Sequence, residues 1–187
     1  MYNLLLDSLP SSFEGYLIRS DYRIGIQISQ ILEDEEFSDW ERIKGAISLL
    51  FGKGIPDTET AMKGLRWFLN GGLLEEPEQT DTGAAASDNG IRYFSFDADA
   101  GRIYSGFRKA YGIELDCISM HWFKFLSLLA DLGECAFTQV IDYRTADISK
   151  MDKETKKVYL AMRRKFSLPQ PESEEAKEFM SLLGEQI

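Results

Sequence analysis

The sequence predicts a mainly α fold: a single compact helical domain over residues 1–187, of about seven or eight helices, with a short N-terminal β-hairpin. Apolar residues recur at three- and four-residue spacing through most of the chain. Serine or aspartate precedes these stretches and glycine or proline follows them, which is how helix ends are written in a sequence. With 44% hydrophobic and 12% aromatic residues, the chain has the material for a packed core and is not globally disordered.

The opening region reads as extended. Leu4-Leu5-Leu6 and Tyr16-Leu17-Ile18 flank Asp7-Ser8-Leu9-Pro10-Ser11-Ser12, a turn-rich stretch that suits a hairpin. Ser20 or Asp21 then caps a first helix with Ile24, Ile28, Ile31 and Leu32 at helical spacing, ended by acidic residues 33–36. Ser38-Asp39-Trp40-Glu41 has capping-box spacing, so the Ser38 hydroxyl and Glu41 carboxylate each satisfy a free backbone N–H. Trp40, Ile43, Ile47 and Leu50 make its stripe; Gly52, Gly54 and Pro56 stop it. A third helix begins near Asp57 or Thr58, buries Ala61, Leu65 and Phe68, and ends at Asn70-Gly71-Gly72.

Residues 75–90 are acidic and small, with no basic or aromatic side chain, and predict a flexible loop. A short strand is expected over residues 92–96. Asp97 then caps a helix to Tyr111 with Ile103, Phe107, Ala110 and Tyr111 on one face, and Gly112 ends it. Asp116 is expected to start the most apolar helix, carrying Ile118, Trp122, Phe125, Leu126, Leu129 and Leu132, with Phe123 and Leu128 off the stripe. A helix apolar on more than one side belongs at the centre of a core. Phe137, Val140 and Ile141 mark a shorter helix. A basic helix over 152–166 follows, with Val158, Tyr159, Met162 and Phe166 as its stripe. Pro169 and Pro171 separate it from a terminal, peripheral helix over 173–184 carrying Phe179, Leu182 and Leu183.

Net charge is −10, which opposes nonspecific attraction to a polyanion and disfavours nucleic acid as a partner. The longest apolar runs are too short to span a bilayer, and the N-terminus has no basic region of a secretory signal, so a cytoplasmic location is expected. If Cys117 and Cys135 share one helix they stand about 27 Å apart, at roughly 1.5 Å per residue. That is far beyond the roughly 7 Å a disulfide allows, so both are expected as reduced core thiols. Two cysteines and one histidine do not make an ordinary zinc site, and no metal or cofactor is expected.

His121 is the only histidine. As a general base it needs a nucleophile or orienting carboxylate, and no motif supplies one, so it reads as a packed or interface residue. Asp97-Ala98-Asp99 lacks the glycine and terminal glutamate of a calcium loop and reads as a helix cap. Gly52-Lys53-Gly54 lacks the serine or threonine of a phosphate loop and reads as a helix stop. Lys150, Lys153, Lys156, Lys157, Arg163, Arg164 and Lys165 stand out on an acidic background. They suit either a solvated helix face matched to the helix dipole or a surface for an acidic partner.

Several phrases stand along the chain as an ordered set. Leu9-Pro10 precedes an extended segment, Ser20-Asp21-Tyr22-Arg23 opens the first helix, and Arg66-Trp67-Phe68-Leu69 leads to Gly71-Gly72. Ser95-Phe96-Asp97-Ala98-Asp99, Ile103-Tyr104-Ser105-Gly106-Phe107 and Tyr111-Gly112-Ile113-Glu114-Leu115 follow. The set closes with His121-Trp122-Phe123-Lys124-Phe125-Leu126, Tyr143-Arg144 and Asp147-Ile148-Ser149. In order and spacing it resembles the bacteriophage gene-product-fifteen family of tailed phages and prophages of Gram-positive bacteria. The resemblance runs from Leu9 to Leu168 and leaves out residues 75–90.

The resemblance implies no enzymatic activity and brings no catalytic residues. Family members lie between the genes for the major tail protein and the tape-measure protein. That position implies a tail assembly chaperone in the bacterial host, escorting the tape-measure helix, with the major tail protein a further partner. A structural virion component, such as a tail completion or connector protein, is the alternative, and a homo-oligomer remains open. A chaperone for a helix needs an apolar groove. Trp67, Phe68, Tyr104, Phe107, Trp122 and Phe123 are candidates to line one or, for most of them, to fill the core. With His121, Lys156, Lys157, Arg163 and Arg164, residues Trp67, Tyr104, Phe107 and Trp122 make up the expected partner-binding set.

Overall fold

The computed structural model describes residues 3–73 and 93–168. The expected loop at 75–90 and the expected terminal helix at 173–184 lie outside the described residues. Among those described, the architecture is mainly α, with seven α-helices and one two-stranded antiparallel hairpin.

The hairpin pairs β1 (Ser12–Phe13) with β2 (Tyr16–Leu17), Phe13 facing Tyr16 across a turn at Glu14 and Gly15. It is present as expected, but Leu4, Leu5 and Leu6 take no part in it. They sit on a turn in which the Leu6 and Asp7 amides donate to the Asn3 carbonyl, while the Asp7 carboxylate accepts from the Asn3 amide. Three adjacent leucines cannot all face a core from one strand, since successive side chains alternate.

Helix α1 (Tyr22–Glu33) is capped by Asp21, whose carboxylate accepts from the Arg23 amide. Helix α2 (Asp39–Phe51) begins with the expected capping box between Ser38 and Glu41. Its inner face is Ala46, Ile47, Leu50 and Phe51; Trp40 leaves the expected stripe and points outward, 64% exposed. Helix α3 (Thr58–Leu69), capped by Asp57, buries Ala61, Leu65, Trp67 and Phe68.

No strand forms over 93–96 among the described residues; Arg92 lies outside them. Phe94 and Phe96 do point inward, at the period of a strand, but among the described residues no second strand lies beside them. The local amides turn instead onto side chains: Ser95 N–H onto Asp99, and Asp97 N–H onto the Ser95 hydroxyl. Helix α4 (Ala100–Tyr111) therefore starts at Asp99, not at the expected cap Asp97, which is exposed. Ile103 and Phe107 are buried as expected, whereas Ala110 is exposed.

The apolar helix is shorter than expected. A 3-10 turn at Leu115–Cys117 comes first, and α5 (Trp122–Ala130) starts only at the His121 cap. Ile118 and Leu132 fall outside it. Cys117 is exposed, contrary to the expected core position; Cys135 is half-buried, and both are free thiols. Helix α6 (Ala136–Thr145) buries Phe137 and Val140. Helix α7 (Lys153–Lys165), capped by Asp152, packs on α6 yet buries no residue fully. Val158 of its expected stripe is 51% exposed.

The core centres on α5, as its apolarity predicts. Trp122 is wholly buried, stacked on Phe125 and Phe68, with the Phe96 ring edge-on at 5.9 Å. Phe125 stacks in turn on Tyr22 and Phe107. Each such side chain contributes about 1.5–3 kcal/mol through burial alone. Among the described residues no helix is long and apolar enough to cross a membrane.

Candidate functional site

His121 joins three parts of the fold. Asp21 and His121 form an isolated antiparallel bridge, with Tyr22 N–H donating to Met120 C=O and Trp122 N–H to Ser20 C=O. The N-termini of α1 and α5 thus start side by side. Asp21 caps the first and is also held by the Ser119 hydroxyl at 2.6 Å. His121 caps the second, its Nδ1 accepting from the Phe123 amide at 3.1 Å. Its Nε2 stands 3.0 Å from the Pro10 carbonyl. A carbonyl only accepts, so Nε2 carries the proton and the ring is the neutral Nε2–H tautomer.

The electrostatics agree with that state. Burial holds the His121 pKa below its ordinary value; the Pro10 contact opposes the shift and Lys124 adds to it. A positive charge is also disfavoured at a helix N-terminus. The imidazole is therefore occupied at both nitrogens in fastening the N-terminal segment to α5. Asp21 behaves oppositely. Burial pushes its pKa up, but the bonds from Ser119 and the Arg23 amide, with the Arg23 charge, bring it below the usual value.

The expected groove aromatics are mostly interior. Trp67, Phe68, Phe107, Trp122 and Phe123 are all buried. Trp67 packs between Phe13 of the hairpin, at 4.9 Å, and Phe123. In this conformation they present no surface to a partner. Tyr104 is half-buried, and its hydroxyl donates to the Asp116 carboxylate at 3.1 Å. That bond pushes the Tyr104 pKa up.

The basic residues divide. Arg163 is half-buried and donates to the Tyr143 and Ala146 carbonyls at the end of α6, at 3.1 and 2.7 Å. It fastens α7 in place. Lys157 and Arg164 are exposed, and Lys156 is half-buried.

Two acidic groups invite a metal-site reading. Asp99 is wholly buried, and its carboxylate takes Arg144 in a two-pronged contact at 2.7 and 3.1 Å, Arg102 at 2.9 Å, and the Ser95 amide. Guanidinium groups fill the place a cation would take, so Asp99 is a structural anchor. Arg144 extends it to the Tyr93 and Phe166 carbonyls. Glu114, Asp116 and Cys117 bring ligand atoms within 4.8 Å of one another, all on exposed residues. The Asp116 charge, with some burial and Glu114, pushes the Cys117 thiol pKa up, which disfavours the thiolate a metal binds.

Two apolar surfaces were not foreseen. Leu5 and Leu6 are 92% and 82% exposed, and Leu17 of β2 is 74% exposed. The unalternating Leu4-Leu5-Leu6 run was the available signal for the first. Phe37 and Trp40 project beside the acidic connection between α1 and α2. Their signal was the acidic run immediately before them, which places this stretch in water.

Compared with known proteins, the chain matches no curated protein and no solved structure. A family model does match it over residues 3–168, and its description is Bacteriophage Gp15 protein.

Proposed function

The chain belongs to the bacteriophage Gp15 protein family, and from that premise we propose that it is a noncatalytic tail assembly chaperone in the cytoplasm of the bacterial host. It acts by protein–protein contact with the tape-measure protein, with the major tail protein as a second partner. The observation that carries this reading is the exposure of Leu5, Leu6 and Leu17 at the N-terminal turn and hairpin. Bare leucines are costly in water and profitable against an apolar helix stripe. The hairpin is fastened, since His121 holds Pro10 and the Ile18 amide donates to the Ser11 carbonyl, and the Leu5–Leu6 turn before it is closed by local bonds between Asn3 and Asp7. Such fastening lowers the ordering cost of binding.

The escort surface is then the N-terminal turn and hairpin, with the buried aromatics as its scaffold. Co-expression with the tape-measure protein should raise that protein's soluble fraction and give a complex that co-purifies. Leu5→Asp with Leu6→Asp should abolish both effects while the thermal unfolding midpoint stays within about 2 °C, because exposed side chains contribute little to folding. No gain in solubility and no complex with the unaltered protein would contradict the proposal.

A further inference from the structure

Two surfaces at different places on this chain are chemical complements. On α7 the positions 153, 157, 160 and 164 follow the four-three-four spacing that sets Lys153, Lys157, Leu160 and Arg164 along one line of the helix. All are exposed. The packed side of α7 carries Tyr159, Met162, Arg163 and Phe166, each half-buried. Among the described residues, Lys153, Lys157 and Arg164 form no ion pair. The second surface is the corner between α1 and α2. There Glu35 and Glu36 are exposed beside Phe37 and Trp40, which are 45% and 64% exposed. The other acids of the corner are engaged: Glu33 accepts from the Ser95 hydroxyl, Asp34 from the Glu36 amide and Glu41 from the Ser38 amide, and Asp39 pairs with Arg42.

One surface is basic with an aliphatic centre; the other is acidic with an aromatic centre. An exposed tryptophan ringed by charge is the usual anchor of a protein interface. In its own copy α7 is held on α6, by Arg163 on the Tyr143 and Ala146 carbonyls and by the Tyr159 hydroxyl on Asp142. We propose that copies of this chain associate head to tail, the Lys153, Lys157, Leu160 and Arg164 line of one copy seating on the Glu35, Glu36, Phe37 and Trp40 corner of the next. A polyanion would use the basic line alone; a second copy uses both surfaces. Because the two patches differ, the contact is heterologous and propagates into a ring or a filament. It uses none of the N-terminal leucines, so it stands or falls separately from tape-measure binding.

Sedimentation velocity on the full chain tests it, with Lys157→Glu/Arg164→Glu and Glu35→Lys/Glu36→Lys as variants. The unaltered protein should sediment as species larger than a monomer at low salt and return to monomer at about 0.5 M NaCl, where exposed charges are screened. Each variant alone should be monomeric, since like charges then face each other at every contact. Mixing the two variants in equal amounts should restore the larger species, because each contact between them again joins opposite charges. A monomer under all conditions, association that survives either variant, or a mixture that stays monomeric overturns the proposal. Low-salt DNA retention lost in Lys157→Glu/Arg164→Glu, with the unaltered protein monomeric throughout, would assign the basic line to nucleic acid instead.

Discussion

At His121 one lone pair decides whether α5 is capped. Protonating Nδ1 turns the acceptor of the Phe123 amide into a donor, so the folded state resists it. Burial already holds the folded pKa below the ordinary value of about 6.5. Below that value the unfolded chain takes up the proton first, so this stability is complete above about pH 6.5 and is lost as pH falls through the folded pKa. The urea midpoint should drop between about pH 7 and 5. His121→Asn keeps an acceptor at the cap and should flatten that drop. Carboxylates with lowered pKa, such as Asp21, act in a separate window below about pH 4. Asp99 and Asp97 give a sharper contrast. Asp99→Asn leaves Arg144 facing an uncharged group in a buried place and should cost about 3–5 kcal/mol by chemical denaturation. Asp97→Asn, at an exposed position, should cost less than about 0.5 kcal/mol. The tripeptide holding both residues was legible as a helix start, but which aspartate is buried depends on Arg144, forty-five positions away. No local pattern carries that.

Among the elements, helix starts governed by a neighbouring side chain were the most legible. The Ser38–Glu41 box and the Asp57 and Asp152 caps lie where local spacing puts them, because a cap is completed within four residues. Starts that depend on distant chain were less so. Helix α5 begins at His121 because residues 119–122 are committed to the start of α1, and nothing near Asp116 announces that. Close approach was equally silent. Gly25 of α1 meets the Trp122 ring so closely that an added Cβ would lie 2.2 Å from Cε3. Gly25→Ala should therefore cost about 1–3 kcal/mol through overpacking. Gly101→Ala, on α4 with no atom within 4 Å of the added Cβ, should instead stabilise by about 0.5–1 kcal/mol. Trp122 itself keeps an indole N–H with no partner among the described residues. Helix α7, which buries nothing fully, belongs to the least protected part of the fold. Its amides should exchange at least about tenfold faster than those of α5 in native-state hydrogen exchange.

Over the whole molecule, most of the described aromatics go inward and the fold turns leucines, Phe37, Trp40 and a basic line outward. That division separates stability from contact. Core rings around Trp122 set the shape, while the N-terminal leucines, the Phe37–Trp40 corner and the outer line of α7 stay exposed. The mainly α class was legible because helical periodicity survives without knowledge of contacts, and the phage family was legible in phrases that mostly belong to that core. Which aromatics are buried was not, because large aromatics look alike in a sequence whether they fill a core or line a groove. A chaperone leaves when tail assembly ends, whereas a virion component stays. Quantitative mass spectrometry of infected-cell lysate and of purified phage particles separates the two most directly. A chaperone should be abundant in the lysate and absent from the particles beyond carry-over; a fixed stoichiometry with the major tail protein in the particles would contradict that role.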